Sequence, residues 1–278
     1  MRIDRLGGVH RMSSLQSGQG SGQRSAMPAI ADVQVTDLTA ALKHGISDFM
    51  RAPSFGLVIG GLFALIGSMI VLALTIWNIP WMIYPFAIGF PLVGPFAAVG
   101  LYEVSRQLAK GKKPQWHDVF SVIWAQRRRE VSWMAFVMLF VFWVWMYQVR
   151  LLIALFLGLV SFASFEEFVR VIFTTDQGLI FLAAGHVVGA ILALILFSIT
   201  VFSIPLLLER EIDIVTAMIV SVKAVLQSPV AMLGWGVFVT LSIILASLPL
   251  FAGLFLVLPV LGHATWHLYD RTISRKPA

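Results

Sequence analysis

Six apolar runs, each about twenty residues long and nearly free of charge, constrain this chain more than any other feature. A helix rises about 1.5 Å per residue, so such a run crosses a hydrocarbon core of about 30 Å. In lipid the backbone must satisfy its own hydrogen bonds, and a helix does so within one segment. The spans fall near 54–77, 81–102, 133–160, 179–208, 230–248 and 250–268. The fold class they imply is all-α, a polytopic transmembrane bundle. Composition agrees, with 59% hydrophobic and only 12% charged residues, whereas soluble domains are about a quarter charged. The 278 residues hold several spans but leave little for a soluble domain.

A net charge of +6 would suggest nucleic acid in a soluble protein. Here the basic residues flank spans instead. Every Lys and Arg except Arg150 and Arg170 lies in the N-terminal segment, the 103–132 loop, the 209–228 loop or the C-terminal end. That asymmetry predicts both termini on the cytoplasmic side. No nucleic-acid partner is expected. The chain has no cysteine, which excludes disulfides and thiolate chemistry.

Residues 1–35 read as a disordered cytoplasmic tail, polar and without the apolar core of a secretory signal. Residues 36–270 form the transmembrane domain, and 271–278 a cytoplasmic tail. Within the domain, Thr36 or Asp37 opens an amphipathic helix. Its apolar side carries Leu38, Ala41, Leu42, Gly45, Ile46, Phe49 and Met50, and its polar side Lys43, His44, Ser47, Asp48 and Arg51. Such a helix before a span is expected to lie on the membrane surface. Short interfacial helices are also expected near 116–126 and before Pro229.

Two stretches look like copies. From Ala41-Leu42 to Pro53 and from Ala217-Met218 to Pro229, a surface helix meets a proline and then a span. Each continues through an outer turn (Pro80, Pro249) into a span carrying Pro-x-x-Gly, at Pro91–Gly94 and Pro259–Gly262, and ending in Leu-Tyr and a carboxylate, Glu103 or Asp270. The copies would be parallel repeats about an axis along the membrane normal. Proline removes an N–H and frees a carbonyl, so helix breaks are expected at Pro91, Gly94, Pro259 and Gly262. Breaks at matching places can mark a transport path, although ordinary sealed kinks give the same sequence.

Few residues could carry chemistry. His263 and His267 share a helical face at i, i+4, but no third ligand is evident, so a polar girdle at the cytoplasmic end is the plainer reading. Glu103 could join them only if the second and sixth spans are neighbours. His186, flanked by Gly185 and Gly189 in the fourth span, is expected to bond to a neighbouring helix. Arg150 lies late in the third span and should reach the outer interface, against Glu166 or Glu167. Gly56-x-x-x-Gly60-x-x-x-Ala64 is a close-packing face. No catalytic constellation, phosphate loop or metal motif is present, so neither an enzyme nor a cofactor is expected.

Ile204-Pro205-Leu206-Leu207-Leu208-Glu209-Arg210, with Asp213, Thr216-Ala217 and Ser221, is familiar together with Gly94-Pro95, Gly100-Leu101-Tyr102-Glu103 and Gly262-His263-Ala264-Thr265-Trp266-His267-Leu268-Tyr269. These motifs resemble a family of predicted bacterial integral membrane proteins of unknown function, over roughly residues 35–275. The family often has a basic residue after the final Leu-Tyr, where this chain has Asp270. The resemblance implies a six-span protein of a bacterial inner membrane and assigns no activity. Two expectations remain: a non-enzymatic scaffold or accessory subunit working with membrane lipids, a membrane-protein complex or further copies of itself, and a transporter or channel for a neutral or apolar solute.

Overall fold

The computed structural model describes residues 28–76, 83–126, 129–158 and 165–274, and they are almost entirely helical. Residues 1–27, 77–82 (with Pro80), 127–128, 159–164 and 275–278 lie outside the described residues, as do the side chains of Pro91 and Glu166.

Helix α1 (Val35–Arg51) is opened by Gln34, whose N–H donates to the Asp37 carboxylate at 3.0 Å. It is followed by α2 (Pro53–Thr75), α3 (Ile83–Ala109), α4 (Trp116–Gln126), α5 (Glu130–Phe156), α6 (Phe165–Thr174) and α7 (Asp176–Thr200). The chain then forms α8 (Ser203–Glu209), α9 (Ile214–Gln227), α10 (Pro229–Ser247), α11 (Leu254–Tyr269) and a π-helical turn, Asp270–Ser274. Among the described residues four helical stretches are long and apolar enough to cross a membrane: Pro53–Leu72, Glu130–Phe156, Asp176–Glu209 and Pro229–Ser247. The expectation was six. Of the other two, α11 is an apolar helix of only 16 residues, while α3 has 27 residues and ends in the polar Glu103 and Arg106.

The bundle is organised around α11, which packs on α1, α2, α3 and α10. The α2 face predicted for close packing meets this helix. A Cβ on Gly56 would lie 2.9 Å from Pro259, and one on Gly60 2.7 Å from the Leu254 carbonyl and 3.0 Å from that of Phe255. Further along α2, Gly67 lies against the Phe251 ring, so α2 and α11 run antiparallel. The predicted helix breaks are not breaks. Both α3 and α11 continue as α-helix through Pro91, Gly94, Pro259 and Gly262. Pro259 cannot donate to the Phe255 carbonyl four residues back. Gly60 lets the α2 backbone approach that freed carbonyl, while Gly262 sits under Leu101 of α3.

A real interruption occurs elsewhere. The predicted fourth span is divided at Val201 and Phe202 into α7 and α8, just before Pro205. Ser221 of α9 enters the gap: its hydroxyl donates to the Ser198 carbonyl at 2.7 Å and accepts the Phe202 N–H at 3.1 Å. Those two backbone groups stand at the i, i+4 spacing that a helix would pair directly.

The outer turn into α11 also departs from regular geometry. Leu250 and Phe251 have positive φ, 49° and 63°, a region that costs a non-glycine residue roughly 1–2 kcal/mol. Ser68 donates to the Leu250 carbonyl at 2.7 Å, and Phe251 seats on Gly67. Those contacts hold the turn.

The junctions α1–α2 and α9–α10 are alike. Ala52 (φ −139°, ψ 57°) and Ser228 (φ −130°, ψ 60°) each end one helix, donate to the carbonyl four residues back and precede a proline that starts the next. Burial follows the same register, with Ala41, Gly45, Asp48 and Phe49 inward in α1 and Ala217, Ser221, Ala224 and Val225 inward in α9.

Candidate functional site

Polar side chains converge where α1, α3 and α11 meet. Gly45 permits the meeting, since a Cβ there would lie 2.7 Å from the Ala264 nitrogen and 2.8 Å from the Val260 carbonyl. One turn later Asp48 is buried, with its Oδ2 2.7 Å from Nε2 of His267. Ser105 of α3 hydrogen-bonds both Asp48 and Nδ1 of His263, the latter at 2.8 Å. The four residues form one hydrogen-bonded chain, His267–Asp48–Ser105–His263. His44 extends it outward, its ring centroid 5.1 Å from that of His267.

Asp48 corrects the sequence reading, which placed it on the exposed face of a surface helix. It is 4% exposed, because α1 packs on α11. Burial pulls its pKa upward, but hydrogen bonds from His267 and Ser105 and the nearby imidazoles outweigh that and hold the carboxyl below its usual range. At the inner end, Nε2 of the fully buried His263 has no hydrogen-bond partner among the described residues, and neither does Nε1 of Trp266.

The remaining predicted residues are placed separately. Glu103 is buried beside this site but turned to its own helix, accepting from Arg106 and Gln107, each at 2.7 Å. Ser105, two positions on, meets the histidine instead. Asp270 is half-buried and opens the π-helical turn, while its neighbour Tyr269 donates to Glu209 at 2.9 Å. His186 is exposed, and its Nδ1–H donates to the Leu182 carbonyl of its own helix at 2.7 Å, not to a neighbouring helix. Nothing lies within 4 Å of a Cβ on Gly185, whereas one on Gly189 would lie 3.0 Å from the Trp145 ring of α5, so the close helix approach occurs at Gly189 alone. Arg150 is exposed on α5, twenty residues after Glu130 and thus about 30 Å along that helix. Among the described residues no group of three His, Cys, Asp or Glu side chains is arranged to hold a metal ion.

Two cavities lie elsewhere, on either side of α7. One of about 330 Å³ is lined by Met138, Phe142, Trp145, Gly189 and Leu196 between α5 and α7. Another, about 400 Å³, lies between α7 and α10 beside Phe197, Leu233, Gly236 and Thr240. Both are almost wholly apolar.

Residues 83–209 match the profile of a family described as "Predicted integral membrane protein (DUF2189)". The chain is an integral membrane protein. The matched segment runs from the start of α3 to the end of α8, and so includes the motif at Ile204–Glu209 but not the one at Gly262–Tyr269. It also includes Ser105, while Asp48, His263 and His267 lie outside it. No curated protein and no solved structure gives a match.

Proposed function

We propose that this integral membrane protein is a non-enzymatic scaffold or accessory subunit of a membrane complex in a bacterial inner membrane. The observation that carries the proposal is how the polar and apolar groups are distributed. The buried polar groups of the bundle are largely engaged with one another, in the His267–Asp48–Ser105–His263 chain, the Tyr269–Glu209 bond and the Ser221 bridge. Meanwhile α5, α7 and α10 present long apolar faces and two apolar clefts. A solute carrier or an enzyme uses buried polar groups on its substrate, whereas a scaffold uses them to hold its own helices in register.

In this reading α2, α3, α5, α7–α8, α10 and α11 all cross the membrane. The basic residues put both termini and α1, α4 and α9 on the cytoplasmic side. The like junctions at Ala52 and Ser228 favour a parallel repeat of α1–α3 and α9–α11. The alternative, transport of a neutral solute between α3 and α11, finds less support where Pro259 packs on Gly56 and Gly262 on Leu101.

The test is purification in a mild detergent, with identification of the proteins and lipids that come along. A reproducible partner protein supports the scaffold. A homogeneous preparation that moves a neutral solute across reconstituted vesicles overturns it.

A further inference from the structure

Helix α5 turns one seam outward, and the seam is aromatic. Trp133, Phe136, Phe140, Trp143 and Tyr147 follow at alternating steps of three and four residues and are 48–69% exposed. That period, about 3.5 residues, is the one by which a helix packs along a second helix. Contacts within the seam hold neighbouring rings side by side, Trp133 with Phe136 and Trp143 with Tyr147, at centroid separations of 5.7 and 6.0 Å. Their outer surfaces stay exposed. Lipid alone does not call for this composition. The large outward side chains of α7 are aliphatic, Ile180, Val187, Ile191 and Leu194 among them. Aromatic residues of spans gather at the two membrane boundaries. Phe140 and Trp143 instead stand about 15–20 Å along a helix that begins at Glu130, near the middle of a hydrocarbon core of about 30 Å.

Heights on α5 and α7 are related by their contact. The Trp145 ring lies 3.0 Å from a Cβ on Gly189, and from there one cleft is lined back to Met138 on α5 and on to Leu196 on α7. The helices therefore run antiparallel, with Phe140 level with Leu194, Trp143 with Ile191 and Tyr147 with Val187. Trp145 points at α7, so the seam faces the opposite way. Copies inserted in the same sense stand at the same height, and the levels hold between copies too. The exposed side of α7 has the matching period, Ile180, Ala183, Val187, Ala190 and Leu194, with alanines for larger rings to lie against. Beside it, the cleft of about 400 Å³ between α7 and α10 follows α7 from Ala190 to Phe197, the height of Trp143 and Phe140. The Thr240 hydroxyl in its wall is already given to the Gly236 carbonyl. Each surface also carries a polar group at one height. The His186 ring gives its Nδ1–H to the Leu182 carbonyl, so Nε2 of the neutral ring is an acceptor on the exposed side of α7. Tyr147 has a hydroxyl to donate and is level with it to within about one residue.

We propose that the protein assembles with itself in the membrane, the α5 seam of one copy lying in the α7–α10 cleft of the next and Tyr147 donating to Nε2 of that neighbour's His186. Close packing of large against small side chains drives helix association in lipid. The two surfaces differ, so the contact is heterologous and repeats from copy to copy into a ring or a row. The inference rests on membrane insertion of α5, α7 and α10. It is separate from the scaffold reading, because a self-assembling transporter would use the same surface.

The chain has no cysteine of its own, so introduced ones report contacts directly. Two differently tagged copies of the full chain share phosphatidylcholine vesicles, one with Leu151→Cys, a turn beyond Tyr147, and the other with Ala183→Cys at the same height. Mild oxidation should join them. It should not join Leu151→Cys to Leu194→Cys, on the same exposed side of α7 but about 16 Å away in height. Energy transfer between labelled copies at falling protein density should show association weakened roughly threefold in Tyr147→Phe and in His186→Leu, with no further loss when the two are combined. Ala190→Phe fills the cleft and should abolish the transfer while melting with the wild type, since Ala190 is exposed. Equal joining of the two cysteine pairs, additive losses at Tyr147 and His186, or undiminished transfer in Ala190→Phe overturns the proposal. So does a chain that stays monomeric at every density, which would leave the cleft to lipid or to another protein.

Discussion

The same substitution, Gly to Ala, should have opposite effects at two positions of this chain. At Gly185 nothing lies within 4 Å of the added Cβ, so Ala brings only its better helix propensity, worth up to about 1 kcal/mol. At Gly45 the Cβ would stand 2.7 Å from the Ala264 nitrogen, 2.8 Å from the Val260 carbonyl and 2.9 Å from Ala264 Cα. The first of these falls short of ordinary 3.4 Å contact by about 0.7 Å. All three atoms are backbone of α11, so no side chain can yield. Helix α1 must lift, and lifting lengthens the 2.7 Å Asp48–His267 bond one turn away. Overpacking of this kind costs about 1–3 kcal/mol, which offsets the propensity gain. Thermal unfolding in one detergent reads the difference at about 2–4 °C for each kcal/mol. Gly45→Ala should melt below wild type and Gly185→Ala at or above it, with Gly45→Leu lower still. Equal melting of Gly45→Ala and Gly185→Ala would refute the close approach of α1 to α11, and with it the site at Asp48.

Other outcomes follow from the same geometry. Asp48→Asn should cost about 1.5–3 kcal/mol at neutral pH, the range for hydrogen bonds to a charged group. A carboxyl held below its unfolded value stabilises the fold above that value, and the contribution is lost as pH falls through the folded one. The gap between wild type and Asp48→Asn should therefore be full above about pH 4 and close below it, as chemical denaturation across pH would show. Ser221→Ala should cost about 1–3 kcal/mol, because the Ser198 carbonyl and the Phe202 N–H lose the hydroxyl between them; unchanged melting would mean that the ladder closes without it.

How much of this was legible depends on what each residue type can signal. Apolar length identifies a helix that can enter lipid, and α2, α5, α7 and α10 were accordingly clear. Small residues at Gly56, Gly60 and Ala64 announced a close-packed face, but a glycine names no partner, and α11 emerged only from the packing. Asp48 was misjudged because helical periodicity sorts residues by polarity, while the decisive neighbours His267 and Ser105 lie far off in sequence. Pro259 suggested a break, since a sequence shows the lost donor but not the glycine that accommodates the freed carbonyl. The division of α7 from α8 had a signal in Pro205 that the long apolar run concealed. Helix α6 falls between the expected third and fourth spans, where Glu166, Glu167 and Arg170 mask the helical spacing of Phe165, Phe168 and Ile172.

The N-terminal segment is held chiefly by the later part of the chain, by Gln227 and Ser228 and by α11 with the turn after it. Ala31 donates to the Thr272 carbonyl at 2.8 Å, Asp37 faces Arg271 at 3.4 Å, and Asp48 holds His267. Helix α1 is made before α11, and its seat is completed only once α11 has been synthesised and threaded. Until then α1 waits with one apolar side uncovered, and the membrane surface is the place where such a helix can rest. Its amphipathic sequence thus answers two successive environments: lipid during biogenesis, and α11 once the last helix arrives. Closing so long a loop late should make the docking of α1 the slow step of assembly.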